Sequence, residues 1–83
     1  MEIAIKLATR DFERLRAGAT ANSPVLKTIE KAVPIDHAVE GVLFRGYEIP
    51  CNEVQAQGII ELAKRCCPEI IPDIEKALRA ARP

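Results

Sequence analysis

The chain opens on a two-residue alternation. Ile3, Ile5 and Leu7 are separated by Ala4 and Lys6 and preceded by Glu2, the period of a strand with one buried face. Ile3 and Leu7 also lie four apart, so a helix competes, but the unbroken alternation favours strand. After Ala8 the period changes. Phe12, Leu15 and Ala19 recur at helical spacing. Thr9 stands where a capping hydroxyl is wanted, Asp11 and Glu13 suit the positive end of the helix dipole, and Gly18 is the expected stop. A small polar connector, 19–22, leads to Ser23-Pro24, a capping hydroxyl followed by proline at the first helical position. The helix it starts is expected to bury Leu26, Ile29 and Val33 and to end at Pro34, because the residue before a proline avoids the α region.

Ile35, Ala38, Val39, Val42 and Leu43 then recur at i, i+3, i+4, i+7 and i+8, an apolar helical face. Asp36 would cap this third helix and Gly46 would close it. A β-hairpin over 41–49, turning at Arg45-Gly46, competes and would give the N-terminal strand a partner. The five-position stripe is the longer signal and favours helix. Asn52 and Gln55 form a capping-box pair ahead of a face made by Val54, Gly58, Ile59, Leu62, Ala63 and Cys66. Gly58 costs about 1 kcal/mol relative to alanine inside a helix, tolerable where another backbone packs close. Cys67-Pro68 breaks that helix. Pro72 begins the last one, with Asp73 and Glu75 in its first turn, Arg79 and Arg82 in its last, and Ile71, Ile74 and Leu78 on its apolar side. The pattern predicts a mostly α fold: a compact bundle of four to five short helices with an N-terminal β-strand. The minor alternative is an α+β fold with a hairpin at 41–49.

The 83 residues leave room for one core and a single small helical domain, 1–83. So short a chain buries only roughly 60–65% of its unfolded surface, and small domains commonly recover stability through a disulfide, a metal or self-association. Phe12, Phe44 and Tyr47 are the only aromatic residues, so the core must be aliphatic. Twelve basic residues balance twelve acidic ones. That balance removes long-range attraction to nucleic acid or anionic membrane and leaves little self-repulsion to oppose association. No run approaches the roughly 20 apolar residues of a membrane span. The N-terminus carries Glu2 and lacks a signal-peptide pattern. The expectation is a cytoplasmic protein with reduced thiols and no membrane partner.

Cys51, Cys66, Cys67 and His37 could supply the four ligands of a Cys3His zinc site. Their spacing opposes it: such sites use paired C-x2–4-C units, and neighbouring residues on a helix point about 100° apart. No metal and no cofactor is expected. Cys67, beside a helix end and a proline, is the one thiol whose reactivity stays open. His37 is the only imidazole and has no nucleophile placed by sequence to pair with it, so no catalytic residue is assigned and no enzymatic activity expected. The glycines at 18, 41, 46 and 58 form no phosphate-binding loop.

The successive helices 52–66 and 72–82 invite a helix-turn-helix reading. The second would present Pro72-Asp73-Ile74-Glu75 to phosphate, which repels it. Arg10, Arg14 and Arg16 make a modest basic edge, interleaved with Asp11 and Glu13. What remains is contact. An unpaired Ile3-Ile5-Leu7 strand templates pairing with another molecule. Tyr47, Ile49, Ile60 and Ile70 lie off the main stripes, where they form an exposed apolar patch or close the core over the helix ends. The expectation is a non-enzymatic protein–protein interaction module, self-associating as a homo-oligomer. It would act as a small accessory or inhibitor-like protein that docks on a larger partner through Ile3, Ile5, Leu7, Tyr47, Ile49, Ile60 and Ile70. The alternative is a small helix-turn-helix-like nucleic-acid-binding regulator using Arg10, Arg14 and Arg16.

Overall fold

The structure, a computed structural model, describes residues 2–39 and 42–81, with side chains except at 37–39 and 42–44. The alternation at the N-terminus is strand β1, Ile3–Ala8. Helices α1, Thr9–Gly18, and α2, Pro24–Glu30, follow. Strands β2, Val33–Val39, and β3, Val42–Cys51, come next. Helix α3, Glu53–Cys66, is joined by a single 3-10 turn, Pro68–Ile70, to α4, Ile71–Ala81. The strands form an antiparallel sheet in the order β1-β3-β2. The fold is therefore α+β, and the mostly α bundle expected from the hydrophobic stripes is overturned.

The correction is confined to 33–51. Residues Ile35, Ala38, Val39, Val42 and Leu43, read as one helical face, belong to two paired strands, with Ile35 opposite Gly46, Ala38 opposite Leu43 and Val39 opposite Val42. Two physical reasons decide it. The stretch is rich in β-branched residues, which fit a pleated surface better than a helix. And β1 cannot leave its backbone donors and acceptors unpaired, so it requires a neighbouring strand. β3 meets that need and pairs with β2 on its other side. The competing hairpin at 41–49 is displaced too: Arg45 and Gly46, its expected turn, lie inside β3, and the connection at 40–41 falls outside the described residues. Helix α2 also stops short of Val33, which enters β2 and is 49% exposed.

The register sets the core. Ile3 pairs with Cys51, Ile5 with Ile49 and Leu7 with Tyr47, so these six share one face. Helices α1 and α4 pack on β1, α1 and α2 on β3, and α3 lies against α1, α2 and α4. Phe12 and Leu15 from α1, Ile29 from α2, Ile59 and Leu62 from α3, and Ile74 and Leu78 from α4 fill the space between. The Phe12 and Tyr47 rings stack with centroids 4.1 Å apart, a geometry that adds about 0.5–1.5 kcal/mol to burial alone. The other face of the sheet carries exposed Ala4 and Lys6, with Val33 beyond Glu48.

Local signals hold at most helix ends. Ser23 Oγ accepts from the Leu26 amide. Asn52 and Gln55 exchange both bonds of the capping box at 2.8 Å. Thr9 departs from expectation: the cap position is Ala8, which has no side-chain bond, and the Thr9 hydroxyl donates to the Arg45 carbonyl at 3.4 Å. At Gly58 the close neighbour is a side chain rather than a backbone. A Cβ there would stand 3.1 Å from Val25 Cγ2 of α2.

Candidate functional site

Six of the seven residues expected to form a docking surface lie in the core. Ile3, Ile5, Leu7, Ile49 and Ile70 are fully or almost fully buried, and Ile60, the most accessible of the six, is 7% exposed. Tyr47 is half-buried against Phe12. Of the two roles open to Tyr47, Ile49, Ile60 and Ile70, closing the core is the one they fill. Ile60 was misplaced because α3 is covered on three sides, so its apolar arc is wider than one stripe. The side chains of Ile3, Ile5 and Leu7 are thus committed to their own core, which leaves the backbone edge of β1 and its exposed Ala4 and Lys6 for contact.

That edge is open. β1 and β2 flank the sheet, and each is bonded to β3 alone among the described residues. β2 carries Pro34, which has no amide hydrogen and blunts an edge. β1 has no proline, and Lys6 is its single charged residue. An edge so lightly guarded is a template for strand addition.

A second surface lies between α3 and α4, a groove of about 460 Å³ lined by Gln57, Lys64, Glu75 and Arg79 together with Ile60, Ile71 and Leu78. Lys64 also bonds Glu61 at 3.1 Å.

Arg10, Arg14 and Arg16 are all exposed on α1. Arg14 is not free for phosphate. Its guanidinium forms an ion pair with Glu69 and donates to the Cys66 carbonyl at 3.2 Å. The pairing raises the Arg14 pKa above its ordinary value. The Glu69 carboxyl sits below the usual carboxylate range because its own backbone amide and then the Arg14 guanidinium stabilise the charged form. This clasp joins α1 to the 3-10 turn, where α3 ends.

Beneath it lie two thiols. All three cysteines are free. The Cys66 thiol donates to the Leu62 carbonyl at 3.3 Å, and its sulfur stands 3.6 Å from that of Cys67. Two adjacent helical residues would diverge by about 100°. They converge here because Cys67 has left the helix, with φ −155° and ψ 70°. The cause is Pro68, which disfavours the α conformation at Cys67. That signal was present in the sequence and could have located the pair. Gly18 at the end of α1 lies close above: a Cβ on it would come within 3.1 Å of Cys66 Sγ. Burial, then the hydrogen bond and charge of Cys66, push the Cys67 thiol up to about 12. Burial also raises Cys51, which sits at the end of β3 opposite Ile3. His37 pairs with Phe44 in the hairpin, and its side chain is outside the described residues. Among the described residues no three His, Cys, Asp or Glu side chains converge as a metal site, and no helix is long and apolar enough to cross a membrane.

Compared with known proteins, the chain matches no family model, no curated protein and no solved structure.

Proposed function

We propose that the protein is a non-enzymatic protein–protein interaction module that pairs with a second copy of itself through the outer edge of β1, and that the pair docks on a larger protein. The observation that carries this reading is the unpartnered β1 edge, free of proline and lightly charged. Antiparallel pairing across a two-fold axis brings the same strand of both copies together and makes one six-stranded sheet, β2-β3-β1-β1-β3-β2. Such an isologous contact closes on itself and leaves only the proline-bearing β2 edges outside. The short chain and its zero net charge favour association over isolation. The groove between α3 and α4, rimmed by charged side chains, remains available to the larger partner on each copy.

Sedimentation equilibrium should report a dimer in the micromolar range. Hydrogen exchange should show alternate β1 amides gaining protection as concentration rises, because alternate amides point outward from the edge. A strict monomer, or a dimer whose β1 amides exchange at a concentration-independent rate, would refute pairing through β1. The nucleic-acid alternative gains no support from the placement of its residues, since Arg14 is held by Glu69 and α4 starts with Asp73 and Glu75 near its N-terminus. No mobility shift of random DNA at low salt is expected.

A further inference from the structure

We propose that Cys66 and Cys67 form a dithiol site that captures a trivalent organoarsenic group, or a similarly thiophilic centre content with two sulfur ligands. The inference is independent of the pairing through β1. It rests on the 3.6 Å separation of the sulfurs and on how that separation is held. Pro68 fixes Cys67 outside the helix, the Leu62 carbonyl holds the Cys66 thiol, and the Arg14–Glu69 clasp secures the turn that follows.

The bite selects among ligands. A disulfide needs the sulfurs about 2.05 Å apart and normally joins Cα atoms about 4.4–6.8 Å apart. Adjacent residues have Cα atoms about 3.8 Å apart, so closing this pair to a ring disulfide is strained and the product easily reduced. Tetrahedral zinc, with Zn–S bonds of about 2.3 Å, would accept a bite near ~3.8 Å but requires further ligands. No described cluster of three ligating side chains supplies them. Arsenic(III) carrying one carbon substituent takes two sulfurs at a narrow angle and needs nothing more.

The chemistry balances without a redox step. Cys66 is the more accessible of the two and reacts first. Its sulfur adds to the arsenic of an organoarsine oxide, and its proton passes to the oxide oxygen to give an arsenic-bound hydroxyl. Cys67 then forms the second As–S bond. Its proton joins the hydroxyl, which leaves as water. Two S–H bonds are lost, two As–S bonds are gained, and one water is released.

The probe is phenylarsine oxide added to the reduced full chain. Intact mass should show one phenylarsenic group per chain with the loss of two hydrogens. Thiol titration after unfolding should fall from three groups to one. A small dithiol should reverse the adduct while a monothiol in moderate excess should not. Cys51→Ser should behave as the parent. Cys66→Ser and Cys67→Ala should each yield only an adduct that a monothiol strips. The thermal midpoint of the parent should rise on binding, because a ligand that prefers the native state stabilises it. A fall in that midpoint would mean capture of the unfolded chain and would overturn the proposal even if a variant failed to fold. So would an adduct mapped to Cys51, or a parent adduct no more resistant to monothiol than that of Cys66→Ser. Peroxide treatment that gives a stable Cys66–Cys67 disulfide resistant to monothiol would overturn the argument from strain.

Discussion

Gly58 lies inside α3, where alanine would ordinarily be preferred by about 1 kcal/mol. The structure opposes that gain with one contact. A Cβ at position 58 would stand 3.1 Å from Val25 Cγ2, whereas carbon atoms rest at about 3.5–4.0 Å. Val25 must yield by roughly half an ångström. Its branched Cβ makes χ1 stiff, and a rotation of ~30° off a rotamer costs about 0.5–1.5 kcal/mol. The two effects nearly cancel, so Gly58→Ala alone should change stability by no more than about 0.5 kcal/mol. Removing the opposing methyls changes the outcome. In a Val25→Ala background the same substitution should deliver its full stabilisation of about 1 kcal/mol, giving a coupling between the sites of about 0.5–1.5 kcal/mol. Urea denaturation of the parent, both single variants and the double variant measures it, with an unchanged m-value confirming that compactness is preserved. Equal stabilisation by Gly58→Ala in both backgrounds would refute the close approach of α2 to α3 at this point.

Other outcomes follow from single contacts. Asn52→Ala removes one half of the capping box at the start of α3 and should lower stability by about 1 kcal/mol in the same urea assay. Raising the pH should destabilise the protein between about pH 9 and pH 12. There the Cys67 thiol stays protonated in the folded chain, with its pKa pushed to about 12, but ionises in the unfolded one near its ordinary value of 9.0, so the folded state binds more protons and stability falls as pH rises. Cys67→Ala should flatten this decline without abolishing it, because burial raises Cys51 in the same direction; an unchanged slope would contradict the burial of Cys67.

The strand β1, the Ser23 and Asn52 caps and the break at Cys67-Pro68 were legible because each rests on nearest-neighbour chemistry. The hairpin at 33–51 was not. Positions 35, 38, 39, 42 and 43 satisfy a helical period, and nothing local states that β1 needs a neighbour. That requirement is a tertiary one, and it overrode the stripe. The docking residues failed for a related reason. Apolar side chains off a single stripe could be read either as an exposed patch or as core closure, and Ile60 is covered because α3 has helices on three sides. A sequence read element by element undercounts such coverage. The edge of β1 is a property of the backbone, and among the described residues it pairs with β3 alone.

The prolines show how far one local rule reaches. Ser23, before Pro24, is extended, with ψ 153°. Val33, before Pro34, is extended and opens β2. Cys67, before Pro68, turns out of α3 and brings its sulfur back toward Cys66. Ile71, before Pro72, breaks the pattern and stays helical, with φ −56° and ψ −45°. The exception is tolerable because Pro72 stands in the first turn of α4, where an amide has no helical partner to lose. The steric preference against the α region is thus obeyed wherever the chain must change direction and overridden where the 3-10 turn runs straight into α4. Cys67 is on the obeying side, so its thiol geometry depends on Pro68. Pro68→Ala should let α3 extend through Cys67 and swing the two sulfurs apart. The same phenylarsine oxide titration should then lose its monothiol-resistant adduct while both thiols remain. Retention of that adduct would show that something other than Pro68 sets the bite.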